Sequence, residues 1–243
     1  MKNEIQNAES MAEIALRKKP HASIDRETAR DILGKKLFGP KEWLSSYGIW
    51  FSDQQLKEIF EFPWNESILD APCPFVKGKS IKETHFAFLG IDRIYNKPLT
   101  VLKWHELHPI SGKQKPKLNP WYEDQDFARV KTCWFKWYLM LIKSAPNSTE
   151  KTYQEQTAMM PAGYRAPFAI EEVTKNILYH KTYGVYPNGY NWTRCQDIAI
   201  GDCHICVGDF IKVRGWAGGR QHPTVGISAS RKNPYSKCRV IEP

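Results

Sequence analysis

The sequence predicts an α+β fold, with a small N-terminal helical unit packed on a domain that has a mixed or antiparallel sheet and two helices. Three observations predict it. Residues 1–66 contain short amphipathic segments separated by prolines, residues 134–143 are the most hydrophobic stretch, and residues 148–183 carry two helical patterns. Runs of helices and runs of strands in separate parts of a chain are typical of α+β proteins.

The composition is that of a folded basic protein. The 243 residues are 42% hydrophobic and 13% aromatic, which is enough apolar material to fill a core. There are 35 basic and 26 acidic residues, and the formal net charge is +9. This charge favours an anionic partner such as nucleic acid or an acidic glycan. The alternative is a basic surface without such a partner, because the charges are spread along the chain.

The cysteines and the first residues bear on the cellular compartment. Six cysteines in a chain of this length do not make a disulfide scaffold. Residues 1–20 are polar and lack the apolar core of a signal peptide, and no run approaches the roughly 18 apolar residues of a membrane span. We therefore expect a reduced, cytoplasmic protein without a membrane span, and leave secretion by a signal-free route open.

The N-terminal unit, residues 1–66, is predicted to contain four short helices. The first covers residues 4–19, the second begins near Ser23 and extends to Phe38, the third begins at Pro40, and the fourth follows the N-cap Ser52. Ser52 and Gln55 form a capping-box pattern. Helices this short need tertiary packing to persist, so we expect the unit to dock on the rest of the chain.

Residues 67–131 are predicted to be a linker with short strands. Prolines and a glycine punctuate residues 65–80, as in a linker. Residues 84–91 form a short apolar run that predicts a buried strand, whereas residues 99–107 fit either a strand or a helical turn. Residues 109–120 are basic and rich in proline, which predicts an exposed loop that is solvated or, as the alternative, binds phosphate.

The C-terminal domain, residues 132–243, is predicted to be built around a strand at residues 134–143. Both faces of this strand become apolar towards its end, as in a central strand covered on both sides. Two helices follow, at residues 148–160 and 168–183, and Gly184 is the expected C-cap of the second. A long aromatic loop comes next, before the closing strands.

The aromatic loop covers residues 184–201, and the closing strands cover residues 204–212 and 224–231. Several short motifs mark this region and the helices before it. They are Pro-Asn-Ser-Thr at 146–149, Lys-Thr-Tyr-Gln-Glu-Gln at 151–156, Thr-Arg-Cys-Gln at 193–196, Val-Gly-Asp-Phe at 207–210 and Gly-Ile-Ser-Ala-Ser-Arg-Lys at 226–232.

In this order of elements, the chain resembles the C-type-lectin-like fold in its formylglycine-generating-enzyme branch. The last two motifs match the final hairpin of that branch, which has a Gly-containing strand and then a Gly-hydrophobic-x-x-x-Arg strand. The motifs together resemble a group of uncharacterised bacterial proteins. The resemblance covers roughly residues 132–232. It implies a fold with ligand-facing loops and no mechanism.

Cys203 and Cys206 form the sharpest chemical candidate. Such a Cys-x-x-Cys pair can place two thiolates on zinc, with His222 and Cys238 completing a tetrahedron. Residues three apart on a strand point to opposite faces, however, which would separate the two sulfurs. The resemblance also implies a copper-binding cysteine pair, but that pair lies farther apart in sequence. We therefore predict no metal and no cofactor.

Arg194 lies in a polar segment of the aromatic loop. Its guanidinium can hold a carboxylate or a phosphate of a ligand. The alternative, which the sequence favours, is that Arg194 and Gln196 bond backbone carbonyls and tie the loop down. In that arrangement Glu155 or Gln156 faces the core and pairs with Arg194 in a structural polar network.

The predicted ligand-binding surface lies in the loops around the closing strands. It consists of Tyr190, Trp192, Arg194, Trp216, Arg220 and His222. Aromatic and arginine side chains on loops are typical binding anchors, and the alternative is that the aromatic residues pack within the loops.

We expect a non-enzymatic binding module for an unidentified protein, a glycan or another anionic ligand. Two alternatives are a nucleic-acid-associated basic protein and a metal- or thiol-dependent enzyme. The sequence shows no common nucleotide-binding or hydrolase motif that would decide for catalysis.

Overall fold

The computed structural model describes residues 23–108, 122–188, 191–199, 201–208, 217–218 and 225–233. The predicted helix at residues 4–19 and the predicted basic loop at residues 109–120 lie outside these ranges. The described chain combines helices with antiparallel and parallel strands, so the predicted α+β class is confirmed. None of the helices in the described ranges is long and apolar enough to cross a bilayer.

The helices and strands are short except for one helix. The helices are α1 (Arg26–Leu33), α2 (Pro40–Tyr47), α3 (Asp53–Glu58), α4 (Glu66–Asp70), α5 (Ile81–Thr84), α6 (Val101–Leu107), α7 (Asp126–Arg129), α8 (Tyr153–Ala158) and α9 (Ala169–Tyr183), with a 3-10 helix at Gly34–Lys36. The strands are β1 (Ile24–Asp25), β2 (Leu37–Phe38), β3 (Glu61–Phe62), β4 (His85–Gly90), β5 (Arg93–Ile94), β6 (Lys97–Pro98), β7 (Lys136–Leu141), β8 (Tyr164–Arg165), β9 (Trp192–Ile198), β10 (His204–Gly208), β11 (Ala217–Gly218), β12 (Val225–Ile227) and β13 (Ser230–Arg231).

The larger sheet has the strand order β2-β4-β7-β13-β8. β4 is buried along its whole length and pairs antiparallel with β7, from His85 opposite Leu141 to Gly90 opposite Lys136. The predicted central strand at residues 134–143 is confirmed in its middle. It begins two residues later than predicted, at Lys136, where the pairing with β4 ends, and it stops two residues earlier than predicted, at Leu141.

The second sheet has the order β11-β10-β9-β12 and corrects the predicted aromatic loop. Residues 192–198 form the strand β9, which pairs antiparallel with β10 and parallel with β12. The polar side chains in this segment hid its strand pattern from the sequence analysis. Asp197, for example, is buried, and its carboxylate is satisfied there by Lys131 Nζ at 2.6 Å and by a hydrogen bond from Ala169 N at 2.6 Å.

The predicted closing strand at residues 224–231 is two strands in two sheets. β12 lies beside β9 in the second sheet, and β13 lies between β7 and β8 in the larger sheet. Ser228 and Ala229 carry the chain from one sheet to the other. The end of the other predicted closing strand, residues 209–212, lies outside the described ranges.

Helix α9 confirms its prediction, because it follows Phe168 and ends at Gly184, whose φ is 74°. Every residue from Ala169 to Leu178 is buried, since the helix contacts β4 of the larger sheet and β9 and β10 of the second. The predicted helix at residues 148–160 is shorter. It begins after the N-cap Thr152, because positive φ values at Asn147 and Glu150 break the preceding turn.

The N-terminal unit adds one strand to the larger sheet. α1 begins after the N-cap Asp25 instead of Ser23, since Asp25 accepts hydrogen bonds from the backbone of Glu27 and Thr28. It ends before Gly34, and the chain then forms β2 parallel to β4. The predicted helices after Pro40 and Ser52 are confirmed as α2 and α3.

The predicted linker region contains regular structure. The strand expected at residues 84–91 is confirmed as β4, and the undecided segment at residues 99–107 is the helix α6, capped by Thr100. Residues 65–80 include α4 and an isolated bridge between Pro72 and Ser80. The small strand pairs β1–β3 and β5–β6 complete the fold.

We expect His85 to make the fold sensitive to acid. Its ring is buried, with Nδ1 2.9 Å from Thr84 Oγ1 and 3.2 Å from Ile81 O. Burial lowers the pKa of His85 to about 3, and the charges of Arg231 and Lys175 act in the same direction. The pKa of histidine in the unfolded chain is about 6.5, so below this pH the unfolded chain takes up a proton that the buried His85 does not. The free energy of unfolding therefore keeps its full value above pH 6.5 and decreases as the pH falls towards 3.

The expected slope from His85 is at most about 1.4 kcal/mol per pH unit. Urea unfolding of the wild type and of His85→Gln at pH 7, 5 and 4 measures it, and the variant should lose less stability between pH 7 and pH 4. Burial also lowers the pKa of His108 to about 4. This histidine adds a pH dependence of stability that the wild type and the variant share. Equal losses in the two proteins would contradict the prediction.

Candidate functional site

A cleft of about 580 Å³ opens between the end of β7, the C-terminal half of α9 and the residues that follow this helix. We call it the loop cleft. Its lining residues are Ile142, Lys143, Ser144, Tyr179, Val185, Tyr186, Pro187, Asn188 and Asn191. The volume lies within the range of about 300–1,000 Å³ that is typical of sites for small ligands.

The end of α9 brings the loop over the cleft. Gly184 has a left-handed backbone, which a residue without a Cβ adopts at no steric cost, and its N–H donates to His180 O at 2.7 Å. The chain then turns back along the helix. Tyr186 consequently stacks on the His180 ring, with the ring centroids 4.1 Å apart and the planes 13° apart.

A buried ion pair lies beneath the loop cleft. Lys175 Nζ is 2.7 Å from Glu172 Oε1, and both side chains are 0% exposed. Lys175 Nζ also donates to the backbone oxygens of Leu141 and Ile142 at 3.1 Å each. These carbonyls stand at the end of β7, so the lysine joins the helix to the larger sheet.

Asn188 joins the loop to this ion pair. Its Nδ2 donates to Glu172 Oε1 at 2.7 Å and to Thr193 Oγ1 at 3.0 Å. Thr193 Oγ1 in turn lies 2.9 Å from Ser144 Oγ, which lines the cleft after β7. Asn188 and Ser144 are the network members that line the cleft, and we call them its polar floor. They belong to a continuous polar network that runs from α9 through the loop and β9 to the end of β7.

The tyrosines of the loop cleft are held by neighbouring rings. Tyr179 packs edge-on against Phe86 with the centroids 5.4 Å apart, and Tyr186 stacks on His180. Burial raises the pKa of both tyrosines, so their hydroxyls stay protonated at neutral pH. Burial, assisted by the charge of Lys181, lowers the pKa of His180, and the stacked pair is therefore uncharged at neutral pH.

Comparison with known proteins assigns no function to this geometry. No family model, curated protein or solved structure matches the chain. The loop cleft is therefore characterised by its own residues: a volume suited to a small ligand, aromatic walls and a hydrogen-bonded polar floor.

Two residues of the predicted ligand-binding surface lie in the described ranges. Trp192 is half-buried at the start of β9, opposite Gly208 and Val225. Arg194 is 7% exposed and lies on the same strand. The other predicted residues are Tyr190, Trp216, Arg220 and His222, and they lie outside the described ranges.

Arg194 makes hydrogen bonds inside the protein. Its Nη1 donates to Gln156 Oε1 at 2.7 Å and to Lys151 O at 3.1 Å. Gln156 is fully buried, and its Nε2 donates to the backbone oxygens of Ser148 and Val225. The expected pairing of Gln156 with Arg194 is thus confirmed, and this guanidinium holds α8 against the second sheet.

Two of the four residues of the candidate metal site lie in the described ranges. Cys203 is half-buried and Cys206 is buried on β10, while His222 and Cys238 lie outside the described ranges. Burial raises the pKa of the Cys206 thiol, against the opposing charge of Arg194. A protonated thiol is a weak nucleophile and a weak metal ligand. Within the described ranges, no three His, Cys, Asp or Glu side chains form a cluster that could hold a metal ion.

A second cleft, of about 370 Å³, lies between α1, α2 and α3. Trp50 lines it and is 79% exposed, and we call it the Trp50 cleft. Two arginines also line it and have carboxylate partners. Arg30 Nη1 is 2.7 Å from Glu42 Oε1, and Arg26 Nε is 3.1 Å from Glu27 Oε1.

Sequence reasoning did not single out Glu172, Lys175 and Asn188. A glutamate three residues before a lysine is common on exposed helix faces, where such pairs are solvated. One signal was present: Glu172 and Lys175 are interleaved with Val173 and Ile177, in a helix without a clearly polar face. Polar residues in such a helix have to find partners inside the protein.

Proposed function

We propose that the protein is a non-enzymatic binding module and that the loop cleft holds its ligand. One observation carries this proposal: an aromatic-walled cleft of about 580 Å³ lies over a buried, hydrogen-bonded polar floor. Sites for small molecules combine apolar walls with a few fixed polar groups that orient the ligand. The loop cleft has both features.

The loop cleft is organised before a ligand arrives. Asn188 is held by Glu172 and Thr193, and Tyr186 is held by His180. A side chain that is already fixed loses little conformational freedom when a ligand binds, and affinity improves accordingly. The fixed positions of Asn188 and Tyr186 therefore support a binding role for the cleft.

The titratable groups of the loop cleft favour binding over catalysis. A general acid or base works best when its pKa is near the working pH. Burial instead moves the pKa of Tyr179 and Tyr186 upward, further from neutrality. Glu172 is engaged by Lys175 and by two amides, so its Oε1 already has three donors.

The C-type-lectin-like assignment of residues 132–232 is part of the proposal. Such a fold presents its ligand through loops between the last strands. Five residues of the segment predicted as the aromatic loop line the cleft, namely Val185, Tyr186, Pro187, Asn188 and Asn191. Their position supports a binding role for the segment, although the residues differ from the predicted anchors.

The alternative of nucleic-acid binding would use the Trp50 cleft. An exposed tryptophan beside basic residues can stack on a base and neutralise phosphates. Arg26 and Arg30, however, already face Glu27 and Glu42, with which a phosphate would have to compete. A ligand in the loop cleft would not have to displace these carboxylates from the arginines. We therefore favour a small ligand in the loop cleft over a nucleic acid in the Trp50 cleft.

Truncating Tyr186 should weaken ligand binding at least about tenfold, because aromatic anchors often contribute about 2 kcal/mol or more. The full chain is screened against a fragment library by ligand-observed NMR, and hits are titrated into the wild type and Tyr186→Ala. Trp50→Ala is the matched control, since it removes an aromatic side chain from the other cleft. Circular dichroism verifies that both variants fold.

The proposal fails if the hits bind Tyr186→Ala as tightly as the wild type. It also fails if Trp50→Ala is the variant that loses binding, because the ligand would then lie in the Trp50 cleft.

A further inference from the structure

The Trp50 cleft has an apolar lining that the described residues leave uncovered. Trp50 is 79% exposed, the largest value for any large apolar side chain in the described ranges. The other apolar residues of the lining are Leu37, Pro40, Leu44, Ile49, Phe51, Leu56 and Trp137. An apolar patch rimmed by polar residues is typical of an interaction surface.

Trp50 is held in its exposed position by the two helices on either side of it. α2 ends at Gly48, which has a left-handed backbone, and α3 begins after the N-cap Ser52. Phe51 stacks on Phe135, with the ring centroids 5.9 Å apart. Because this short connection is already fixed, a partner that covers Trp50 does not have to order it.

The described part of the chain begins beside this cleft. β1 ends at Asp25, and Arg26, which lines the cleft, donates its backbone N–H to Phe60 O at 2.9 Å. Residues 20–25 connect Arg26 to the predicted helix at residues 4–19. A connection of this length spans at most about 20 Å, and a helix of the predicted length is about 24 Å long. The segment is therefore tethered within reach of the cleft.

The predicted helix at residues 4–19 has a face that matches the apolar lining. The side chains that helical spacing places on this face are Ile5, Ala8, Met11, Ala12, Ala15 and Leu16. Most of the stability of a protein helix comes from packing of its apolar face, so this segment needs a surface to pack on.

The charges of the segment and of the cleft are complementary. Glu9 and Glu13 are four residues apart and flank the predicted apolar face on one side. Lys41 lines the cleft, is exposed, and forms no ion pair with a carboxylate of the described residues. Opposite charges at the rim of an apolar contact fix its orientation.

The tether favours this segment over a separate partner. A short linker holds its two ends at an effective concentration on the order of millimolar. A separate molecule of equal affinity would have to reach that concentration in solution to compete for the cleft.

We infer that residues 4–19 dock as a helix in the Trp50 cleft of their own chain, with the apolar face against Trp50 and with Glu9 and Glu13 beside Lys41. This surface is separate from the loop cleft, and the inference is independent of the proposed function.

The test compares the wild type with two double variants of the full chain that each add two negative charges. Met11→Asp with Leu16→Asp places them on the apolar face, and Gln6→Asp with Ser10→Asp places them on the opposite face. The indole N–H signal of Trp50 is assigned in a ¹⁵N NMR spectrum by its loss in Trp50→Phe. Its exposure is then measured with a soluble paramagnetic probe.

Trp50 should be shielded from the probe in the wild type and in the Gln6→Asp, Ser10→Asp control, and should lose this protection in the apolar-face variant. The protection should not depend on protein concentration, because the segment and the cleft belong to one molecule. If Trp50 is as exposed in the wild type as in the apolar-face variant, or if both double variants lose the protection equally, the inference is overturned. Protection that rises with concentration would assign the cleft to a second copy and overturn it as well.

Cross-linking of the wild type is a measurement that no folding defect of a variant can affect. A carbodiimide joins a carboxylate and a lysine amine in an amide bond, and takes up the water that is lost to become a urea. Mass spectrometry of the digested monomer should find Lys41 linked to Glu9 or Glu13, and Glu9→Gln with Glu13→Gln should abolish this link. If Lys41 is linked to neither glutamate, the segment lies elsewhere and the inference is wrong.

Discussion

Replacing Lys175 with methionine is expected to lower the free energy of unfolding by about 3–5 kcal/mol. The substitution leaves the ionised Glu172 carboxylate, which is 0% exposed, without its counter-ion. It also removes the ammonium donor from the backbone oxygens of Leu141 and Ile142. Methionine is similar in length, so the loss comes mainly from polar groups and little from packing. Urea unfolding at pH 7 measures the effect.

Two further variants test whether the ion pair is responsible. The double variant Glu172→Gln with Lys175→Met should recover part of the lost stability, because it leaves no isolated buried charge. Lys181→Met, at an exposed position on the same helix, should change stability by less than about 1 kcal/mol. If Lys175→Met were as mild as Lys181→Met, the buried network could not be what holds α9 to β7.

Truncating Leu139 to alanine is expected to lower the free energy of unfolding by about 2–5 kcal/mol. Leu139 lies in the middle of β7, opposite Ala87 of β4, and its side chain is fully buried. The cost combines lost apolar burial with the cavity left behind, because a strand paired on both edges cannot relax into the space. Chemical denaturation of the variant and the wild type measures the difference.

Ile198→Ala is the matched control for Leu139→Ala. It also truncates an aliphatic side chain on a strand, but Ile198 is 59% exposed at the end of β9. Its effect should stay within about 1 kcal/mol. Similar losses at the two positions would show that β7 is not the centre of the core.

Elements with a strong local signal were predictable from the sequence. β7 was found from an apolar run, and α9 from its periodic apolar residues and the C-cap Gly184. α2 and α3 were found from Pro40 and from the capping box at Ser52. These signals act over a few residues, because a cap, a turn or an amphipathic face is specified by neighbours in the chain.

The candidate site was predictable only in part. The segment after α9 was expected to face a ligand, and Val185 to Asn188 do line the loop cleft. Of the predicted anchors in the described ranges, Trp192 lies on a strand and Arg194 is engaged by Gln156. Which polar residue of a segment can contact a ligand depends on its burial and on its hydrogen-bond partners in the folded protein. The local sequence pattern specifies neither.

The sequence by itself determined the α+β class, the central strand and the long helix, because apolar periodicity and caps specify those elements locally. Only the tertiary structure decided that residues 192–198 are a strand, since that strand depends on pairing with β10 and β12. Only the tertiary structure also buried the Glu172–Lys175 pair beneath the loop cleft and brought Asn188 to it. Their charges and amides are tolerated in the core because each finds a partner from a distant part of the chain, and such pairings are set by the packed fold.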